Sequence, residues 1–189
     1  MIRYLAFRHG ETVSSGVNKF AGPPLTQGGE EQADKLGQRL SNFNASVFYV
    51  SDLLRSKQTA DIVNRHLGLE IEIDNRLQEV GSYRMWYEVI GDEDVEAMNL
   101  KDFNKAQLGI SSFLAEQKQI NDGKTILLST HGNLIKALLA ITIGITDTDA
   151  LNRLIVANTG LTILEWIKDD DYQLVVFNDT NHLGELIFR

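Results

Sequence analysis

Short apolar runs alternate with amphipathic stretches along this chain, and that order predicts strands alternating with helices. Residues 2–7 are apolar except for Arg3, as expected of a strand buried on both faces of a parallel sheet. Residues 70–73 alternate charged and apolar side chains, which suits a short edge strand. The remaining runs that predict strands lie at residues 47–50, 125–129, 160–167 and 172–177.

Apolar positions at helical spacing predict helices between these strands. The first helix begins at Thr26, whose side chain can cap it. The second is capped by Ser51 or Asp52 and stops near Gly68. The third opens on an acidic turn, because negative charge suits the positive end of a helix. The predicted helices lie at residues 26–43, 52–67, 92–113 and 134–143.

This βαβα order predicts one α/β domain over residues 1–189, built as three layers, α/β/α. The sheet is mixed and mostly parallel, and the short polar connection between the last two strands indicates a C-terminal antiparallel hairpin. No repeat or linker divides the chain. Residues 75–91 lack a clean period and hold several aromatic side chains, so we predict a loop or lid there.

Composition narrows the functional classes. The chain has 189 residues, no cysteine and a net charge of −8. Without cysteine there are no disulfides, thiolate metal ligands or cysteine nucleophile, and the cytoplasm is the expected location. The acidic balance argues against nucleic acid and acidic membranes as partners, and the longest apolar region, residues 134–145, is too short to span a bilayer. An anionic substrate would need a local basic pocket.

Basic side chains follow three of the predicted strands. Arg8 and His9 end the first, Arg55 lies in the first helical turn after the second, and His131 follows residues 125–129. Because the carboxyl ends of parallel strands meet at one edge of a sheet, these side chains should share one cleft. Guanidinium forks and free N–H groups at helix starts match phosphate oxygens, and a neutral imidazole can attack phosphorus. The pattern predicts phosphoryl transfer.

Three short motifs carry these side chains. They are Arg-His-Gly-Glu-Thr at residues 8–12, Ser-Asp-Leu-x-Arg-x-x-Gln-Thr-Ala at residues 51–60 and Ser-Thr-His-Gly at residues 129–132. In this order they resemble the histidine phosphatase superfamily, in its phosphoglycerate mutase-like branch. Further matches, which extend the resemblance over nearly the whole chain, lie at Gly22, residues 24–26, residues 32–33 and Asn158.

The resemblance implies roles for individual residues. It makes His9 the phosphorylated nucleophile, with Arg8, Arg55 and His131 holding the transferred phosphoryl group. It also makes Glu79 the general acid that protonates the leaving oxygen. Burial beside an apolar lid would raise the pKa of that carboxyl, whereas the arginines would lower it, and the sequence leaves the balance open.

The chain departs from the family pattern at two places. After Glu79 the usual aromatic-glycine-x-tryptophan-glutamate-glycine run is altered, so Glu88 is a rival acid; we favour Glu79 because it keeps the spacing to the preceding leucine. In the first loop, Ser15 stands where many relatives have asparagine and Lys19 where many have arginine. Both are candidate phosphate-binding residues, although Lys19 is equally compatible with a solvated surface position.

Two histidines are assigned structural positions. His66 lies near the end of a predicted helix, where a histidine suits the helix dipole. His182 belongs to a stretch that resembles the C-terminal part of some small phosphatases of the superfamily, and we predict a structural loop there.

The leading hypothesis is a metal-independent phosphatase that hydrolyses a small phosphorylated metabolite through phospho-His9. It would be a histidine acid phosphatase-like phosphomonoesterase without a cofactor; metal binding is disfavoured because no histidine pair has the i, i+4 spacing. A phosphohistidine-protein phosphatase is a neighbouring option. A mutase is the alternative reaction, but mutases carry a longer insertion than the roughly fifty positions between Glu79 and His131.

Two further expectations concern binding. The divergent lid and the exchange at Ser15 leave open a catalytically weak phospholigand-binding or regulatory protein. Residues 178–189 form a candidate edge for a homodimer.

Overall fold

The computed structural model describes residues 1–13, 22–80 and 93–184, without the side chains of residues 93–102 and 148. Three of the residues considered above, Ser15, Lys19 and Glu88, lie outside the described residues. So do most of the predicted lid and the last five positions of the predicted dimer edge.

The described strands form a single six-stranded mixed sheet with the order β3-β2-β4-β1-β5-β6. Strand β4 lies between β1 and β2 and runs parallel to both, and β3 runs parallel to β2 at one edge. Strand β5 is antiparallel to both β1 and β6, so the predicted hairpin is confirmed. The strands are β1 (Ile2–Arg8), β2 (Val47–Val50), β3 (Ile71–Ile73), β4 (Thr125–Thr130), β5 (Leu161–Lys168) and β6 (Asp171–Asp179).

The main predicted helices are also present, with changes at their ends. Helix α1 begins after Thr26, whose hydroxyl accepts a hydrogen bond from the Gly29 amide at 2.9 Å. The predicted capping of α2 by Ser51 or Asp52 is wrong, because Leu53 is the N-cap residue and has no side-chain cap bond. The described helices are α1 (Gln27–Leu40), α2 (Leu54–Asn64), α3 (Glu93–Ile120), α4 (Gly132–Ile143) and α5 (Thr148–Arg153).

Helix α5 was not predicted. It has six residues, too few for apolar positions to repeat at helical spacing. Its start is fixed by Asp147, whose carboxylate accepts hydrogen bonds from the amides of Asp149 and Ala150. Polar capping, and not an apolar stripe, therefore begins this helix.

Alternate side chains of β1 enter two different cores, and this makes the fold three-layered. Leu5 and Phe7 pack with residues of α1 and α2 on one face of the sheet. Tyr4 and Ala6 pack with residues of α3 and α4 on the other face. A strand with both faces buried carries apolar side chains at every position, as the run at residues 2–7 does. The predicted α/β/α fold with a mostly parallel mixed sheet is confirmed.

Among the helices that the structure describes, none has the length and hydropathy required to cross a lipid bilayer.

Two glycines allow the end of β1 to touch the start of α1. A Cβ atom on Gly29 would collide with backbone atoms of Glu11, and one on Gly10 would collide with the backbone of Gly29. Glu11 also accepts a hydrogen bond from the Thr26 hydroxyl through its Oε2 atom at 2.8 Å. The segment that follows β1 is therefore held against the first turn of α1.

We expect two glycine-to-alanine changes within helices to act in opposite directions. Gly29→Ala should lower the free energy of unfolding by about 2 kcal/mol, because backbone must shift to admit the methyl group. Gly109→Ala in α3 should raise it by about 0.5–1 kcal/mol, since its new Cβ would lie 3.7 Å from Arg76 Cβ, an ordinary contact. Urea unfolding of both variants measures the difference, and equal effects of the same sign would contradict the close approach at Gly29.

Candidate active site

The candidate site lies at the carboxyl edge of the sheet, where β1, β2 and β4 end side by side. Strand β1 ends on Arg8, and His9 follows it directly. Strand β4 is followed by His131, the N-cap residue of α4, while Arg55 lies in the first turn of α2 after β2. The ring centroids of His9 and His131 are 5.3 Å apart. The sheet therefore brings the four basic side chains from the sequence motifs into one cluster.

Hydrogen bonds fix the tautomer of the His9 ring. Its Nδ1 atom lies 2.8 Å from the carbonyl oxygen of Gly10, which can only accept, so Nδ1 carries the proton. Its Nε2 atom accepts a hydrogen bond from Arg55 Nε at 2.9 Å. Burial lowers the pKa of His9 to about 3, and the charges of Arg8 and Arg55 act in the same direction. At neutral pH, His9 therefore presents an unprotonated Nε2 atom to the arginines.

Helix α2 holds Arg55 against the segment after β1. The Thr59 hydroxyl accepts a hydrogen bond from the Gly10 amide at 3.0 Å and donates one to the Arg55 carbonyl at 2.7 Å. On the other side, Gly22 adopts a left-handed conformation with φ of 75°, and a Cβ atom there would lie 2.8 Å from Arg55 Nη1. A residue other than glycine at position 22 would therefore displace the guanidinium.

Arg8 lies at the start of α4. Its Nη1 atom donates to the carbonyl of Val156 at 2.7 Å, and a Cβ atom on Gly132 would lie 3.7 Å from its Cδ atom. The buried Nε atom of Arg8 has no hydrogen-bond partner within the described part of the chain. Donors of this guanidinium are thus available to a ligand at the amino end of the helix.

Ser51 sets the orientation of His131. Its hydroxyl lies 2.8 Å from His131 Nε2 and also accepts a hydrogen bond from the Leu53 amide at 3.4 Å. If the hydroxyl donates to Nε2, the imidazole proton is on Nδ1, a buried atom without a partner in the ranges described. His131 is fully buried, and burial, assisted by Arg55, holds its pKa well below the ordinary value. A neutral His131 can donate from Nδ1 to an oxygen of a bound anion.

Glu79 is a half-buried carboxyl beside these groups. Its Oε1 atom accepts hydrogen bonds from the amides of Val80 at 3.1 Å and Asn133 at 3.2 Å. Burial raises the pKa of Glu79 above the usual carboxyl value, although the charges of Arg55 and Arg8 oppose the shift. The balance that the sequence left open is decided in favour of burial. Because Oε1 is held as an acceptor, Oε2 is the oxygen that can carry a proton.

The segment that carries Glu79 is tied to its surroundings at several points. Thr130 donates from its hydroxyl to the carbonyl of Leu77 at 2.8 Å, and Asn133 donates from Nδ2 to the carbonyl of Val80 at 3.1 Å. Gln78 donates to both carboxylate oxygens of Asp52 at 2.8 and 2.9 Å. The parts of the chain next to Arg55 and His131 thus also fix the position of residues 77–80.

The cluster carries an excess of positive charge. Burial is the first cause that lowers the pKa of Arg8 and of Arg55, and the charge of Glu79 acts against it. Burial also lowers the pKa of Lys136, which is half-buried on α4. The charge of Glu79 opposes this shift and that of Arg8 adds to it. Among the described residues, three cations beside the single carboxyl of Glu79 favour an anionic ligand, and the planar forks of the two arginines suit phosphate.

A cleft of about 420 Å³ opens beside Glu79 on the side of α3. Its lining combines polar and small apolar side chains, so it can accept a small polar group. The residues that line it are Asn75, Arg76, Gln78, Glu79, Val80, Lys105, Ala106, Gly109 and Leu134.

Several site residues escaped the sequence analysis. Ser51 was predicted to cap a helix and instead contacts His131, and Thr59 joins Gly10 to Arg55. Thr59 lies in the second motif, one helical turn after Arg55, and this spacing in the sequence could have indicated that the two residues are neighbours. Lys136 offered no signal beyond being a single cation in an apolar helix. Asn158, named only through the family pattern, donates to the carbonyl of His9 at 3.0 Å.

The structure also locates the remaining histidines. His66 contacts Asp34 of α1, with Nε2 and Oδ1 2.7 Å apart, so it joins α1 to the turn after α2. His182 lies in a short 3-10 turn, with its Nε2 atom 3.0 Å from the Thr159 hydroxyl. Within residues 1–13, 22–80 and 93–184, no three histidine, aspartate or glutamate side chains are grouped to hold a metal ion.

Comparison with known proteins adds a family match and a sequence relative. The model of the histidine phosphatase superfamily (branch 1) matches residues 4–180. The chain is 26% identical over 164 residues to a probable phosphoglycerate mutase, GpmB, from Salmonella paratyphi A; the alignment covers 77% of this chain and 76% of that protein.

Solved structures resemble the chain over nearly its whole length. YhfR from Bacillus stearothermophilus has a TM-score of 0.81 at 25% identity, covering 97% of this chain and 100% of that one. Phosphoserine phosphatase from Entamoeba histolytica has a TM-score of 0.78 at 23% identity, with coverage of 97% and 100%. A mycobacterial glucosyl-3-phosphoglycerate phosphatase reaches 0.74 at 21% identity, with coverage of 93% and 98%. The two phosphatases are 23% and 21% identical to this chain, and likeness at that level shows a shared fold.

Proposed function

This chain belongs to the histidine phosphatase superfamily, branch 1, and from that premise we propose that it hydrolyses phosphomonoesters through a phosphohistidine on His9. The observation that carries the proposal is the state of the His9 ring. Its Nε2 atom is unprotonated and lies among two arginines and a second neutral histidine, while a carboxyl with a raised pKa lies nearby. Nucleophile, phosphate-binding groups and acid are thus present together.

In the first half of the reaction, Arg55 Nε turns from His9 Nε2 to a phosphoryl oxygen, and the lone pair freed on Nε2 attacks phosphorus. Arg8, Arg55 and the Nδ1–H group of His131 donate to the phosphoryl oxygens and stabilise their charge. The bond from phosphorus to the ester oxygen breaks, and that oxygen takes the proton from Glu79 Oε2. The alcohol leaves, and the phosphoryl group remains on Nε2.

In the second half, water attacks the phosphorus atom of phospho-His9. Glu79, now ionised, accepts a proton from that water, and the bond between phosphorus and Nε2 breaks. Inorganic phosphate is released, His9 returns to its neutral form and Glu79 is again protonated. One ester and one water are consumed in each turnover, and every side chain named here returns to its starting state.

Histidine acid phosphatase-like behaviour is part of the proposal. With a pKa of about 3, His9 stays unprotonated in mildly acidic solution. Burial raises the pKa of Glu79, which extends to higher pH the range in which this acid keeps its proton. Turnover of poor leaving groups should therefore be favoured below neutrality.

The proposed substrate is a small phosphorylated metabolite. The cleft beside Glu79, of about 420 Å³, suits a small polar leaving group. Two proteins of the same fold, named for phosphoserine and for glucosyl-3-phosphoglycerate, have substrates of this class in their names.

The mutase alternative is less favoured. Solved structures that share this fold include phosphatases named for phosphoserine and for glucosyl-3-phosphoglycerate. The interval between Glu79 and His131 also lacks the length of the mutase insertion.

Chromogenic aryl phosphate provides the direct test of the proposed function. We expect turnover that is unchanged by a chelator, because the groups described above supply the chemistry. Substrate labelled with ³²P should leave label on the protein that is lost in acid and retained in alkali, as for a phosphohistidine.

Three outcomes would contradict this assignment. Acid-stable label would point to another nucleophile. Reversible loss of activity with chelator would point to a metal enzyme. Binding of phosphate without any turnover would support the phospholigand-binding alternative.

A further inference from the structure

Thr159 is a buried residue in an unusual backbone conformation. Its φ angle is 54°, in the left-handed region, although its side chain is β-branched and fully buried. Glycine adopts this conformation without strain, and β-branched residues rarely do. Such strain persists only where the surroundings impose it, and it is concentrated at functional sites. The contacts of the Thr159 side chain are therefore a place to look for a role that glycine could not fill.

The strained residue belongs to a segment that contacts the nucleophile from behind. The Thr159 amide donates to the carbonyl of Arg8 at 3.0 Å and lies 3.4 Å from that of His9. Asn158 donates from Nδ2 to the His9 carbonyl at 3.0 Å, and the Val156 carbonyl accepts from Arg8 Nη1 at 2.7 Å. Residues 156–159, called the brace here, thus hold both the backbone of Arg8 and His9 and the Arg8 guanidinium.

The C-terminal part of the chain holds the brace. His182 Nε2 lies 3.0 Å from the Thr159 hydroxyl. Asn178 accepts through Oδ1 from the Ala157 amide at 2.7 Å, and next to it Asp179 forms an ion pair with Arg39 of α1. Of these contacts, only that between His182 and Thr159 acts at the strained residue itself.

We propose that His182 is a positioning residue for the nucleophile, acting through the Thr159 hydroxyl and the brace on the backbone of Arg8 and His9. Burial lowers the pKa of His182 to about 4, so its contact with Thr159 joins two neutral groups at pH 7. The role rests on the proposed function in one respect, namely that His9 is the reacting group. It explains why threonine, and not glycine, occupies the left-handed position.

The test measures the His9 ring directly as well as turnover. The chain contains four histidines, so ¹⁵N-histidine labelling gives a spectrum in which His9 can be assigned. In the unmodified protein we expect the neutral Nδ1–H tautomer that the bond to the Gly10 carbonyl requires. In His182→Ala and in Thr159→Gly, we expect a mixture of tautomers, because the brace loses its contact with His182 and holds the backbone of His9 less tightly.

Turnover of aryl phosphate should change in parallel. Each of the two substitutions should lower kcat by about tenfold, a change of about 1.4 kcal/mol in the barrier, with KM within about twofold. Combined, they should cost no more than either alone, because both remove the same contact. His182→Gln retains an amide donor for the Thr159 hydroxyl and should recover most of kcat.

His66→Ala is the matched control, because His66 also joins two elements through one hydrogen bond, but it connects the turn after α2 to α1 and does not contact the brace. It should leave the His9 spectrum and kcat unchanged. The proposal is overturned if His182→Ala lowers thermal stability yet leaves both unchanged, or if the losses in the double variant multiply. If the unmodified protein hydrolyses no phosphomonoester, the proposed function fails, while the tautomer of His9 in the variants still decides the role of His182.

Discussion

Replacing His9 by alanine is expected to lower kcat for aryl phosphates by about a thousandfold or more, because the attacking atom itself is removed. No acid-labile phosphoryl label should form on this variant. An aryl phosphate is the right substrate, since its leaving group needs little protonation and turnover then reports attack at phosphorus. Stopped-flow measurement of the first turnover, together with recovery of ³²P label, measures the loss.

Two further variants show whether the loss depends on which basic side chain is changed. His66→Ala removes an imidazole remote from the cluster and should keep full activity. Arg55→Lys keeps the positive charge beside His9 but loses the Nε donor and the planar fork, so it should lower kcat by about 100-fold. Label of unchanged amount and acid lability on His9→Ala would assign the phosphoryl group to another residue.

The second large effect is expected at Glu79 and depends on the leaving group. Glu79→Gln should lower kcat for an alkyl phosphate by about 100- to 1,000-fold, because an alkoxide leaves slowly without a proton. In the same variant, the first turnover of p-nitrophenyl phosphate, measured as nitrophenol released before phospho-His9 is hydrolysed, should stay within a few-fold of the unmodified rate, because this leaving group needs no proton. Glutamine keeps an oxygen that can accept from the amides of Val80 and Asn133, so the local structure is preserved.

The pH profile distinguishes the loss of a proton donor from a change in the structure of the site. Burial raises the pKa of Glu79, and the acid donates only while protonated. As pH rises through that pKa, kcat for the alkyl phosphate should fall, and this limb should be absent from Glu79→Gln. Glu88→Gln is the matched comparison at the rival carboxyl. If it abolishes alkyl phosphate turnover while Glu79→Gln does not, Glu88 is the acid.

The convergence of the basic residues was predictable from sequence because it depends only on strand direction. Parallel β1, β2 and β4 all end at one edge, so residues placed just after three apolar runs must meet there. The antiparallel hairpin of β5 and β6 was equally accessible, since a four-residue polar connection leaves the chain little choice. Hydrophobic periodicity and the residues at strand ends can be recognised from neighbouring positions in the sequence. Their prediction therefore needs no knowledge of contacts between distant residues.

What sequence could not provide was pairing between distant polar groups. Ser51 and His131 are 80 positions apart, and nothing in their neighbourhoods indicates that a hydroxyl orients this imidazole. The direction of the Glu79 pKa depends on how far burial outweighs two arginines, which is a three-dimensional quantity. The strain at Thr159 is likewise hidden, because a Thr-Gly pair suggests that glycine takes the left-handed position. Here Gly160 is needed for its close approach to Asn178.

The anchoring of residues 77–80 ties the candidate acid to the strand and helix that carry His131. Thr130, at the end of β4, holds the carbonyl of Leu77, and Asn133, in the first turn of α4, contacts both Glu79 and Val80. A shift of β4 or of the start of α4 would therefore move the carboxyl of Glu79 together with the imidazole of His131. The distance between these two groups is thus less sensitive to such a shift than the position of either group in the sheet.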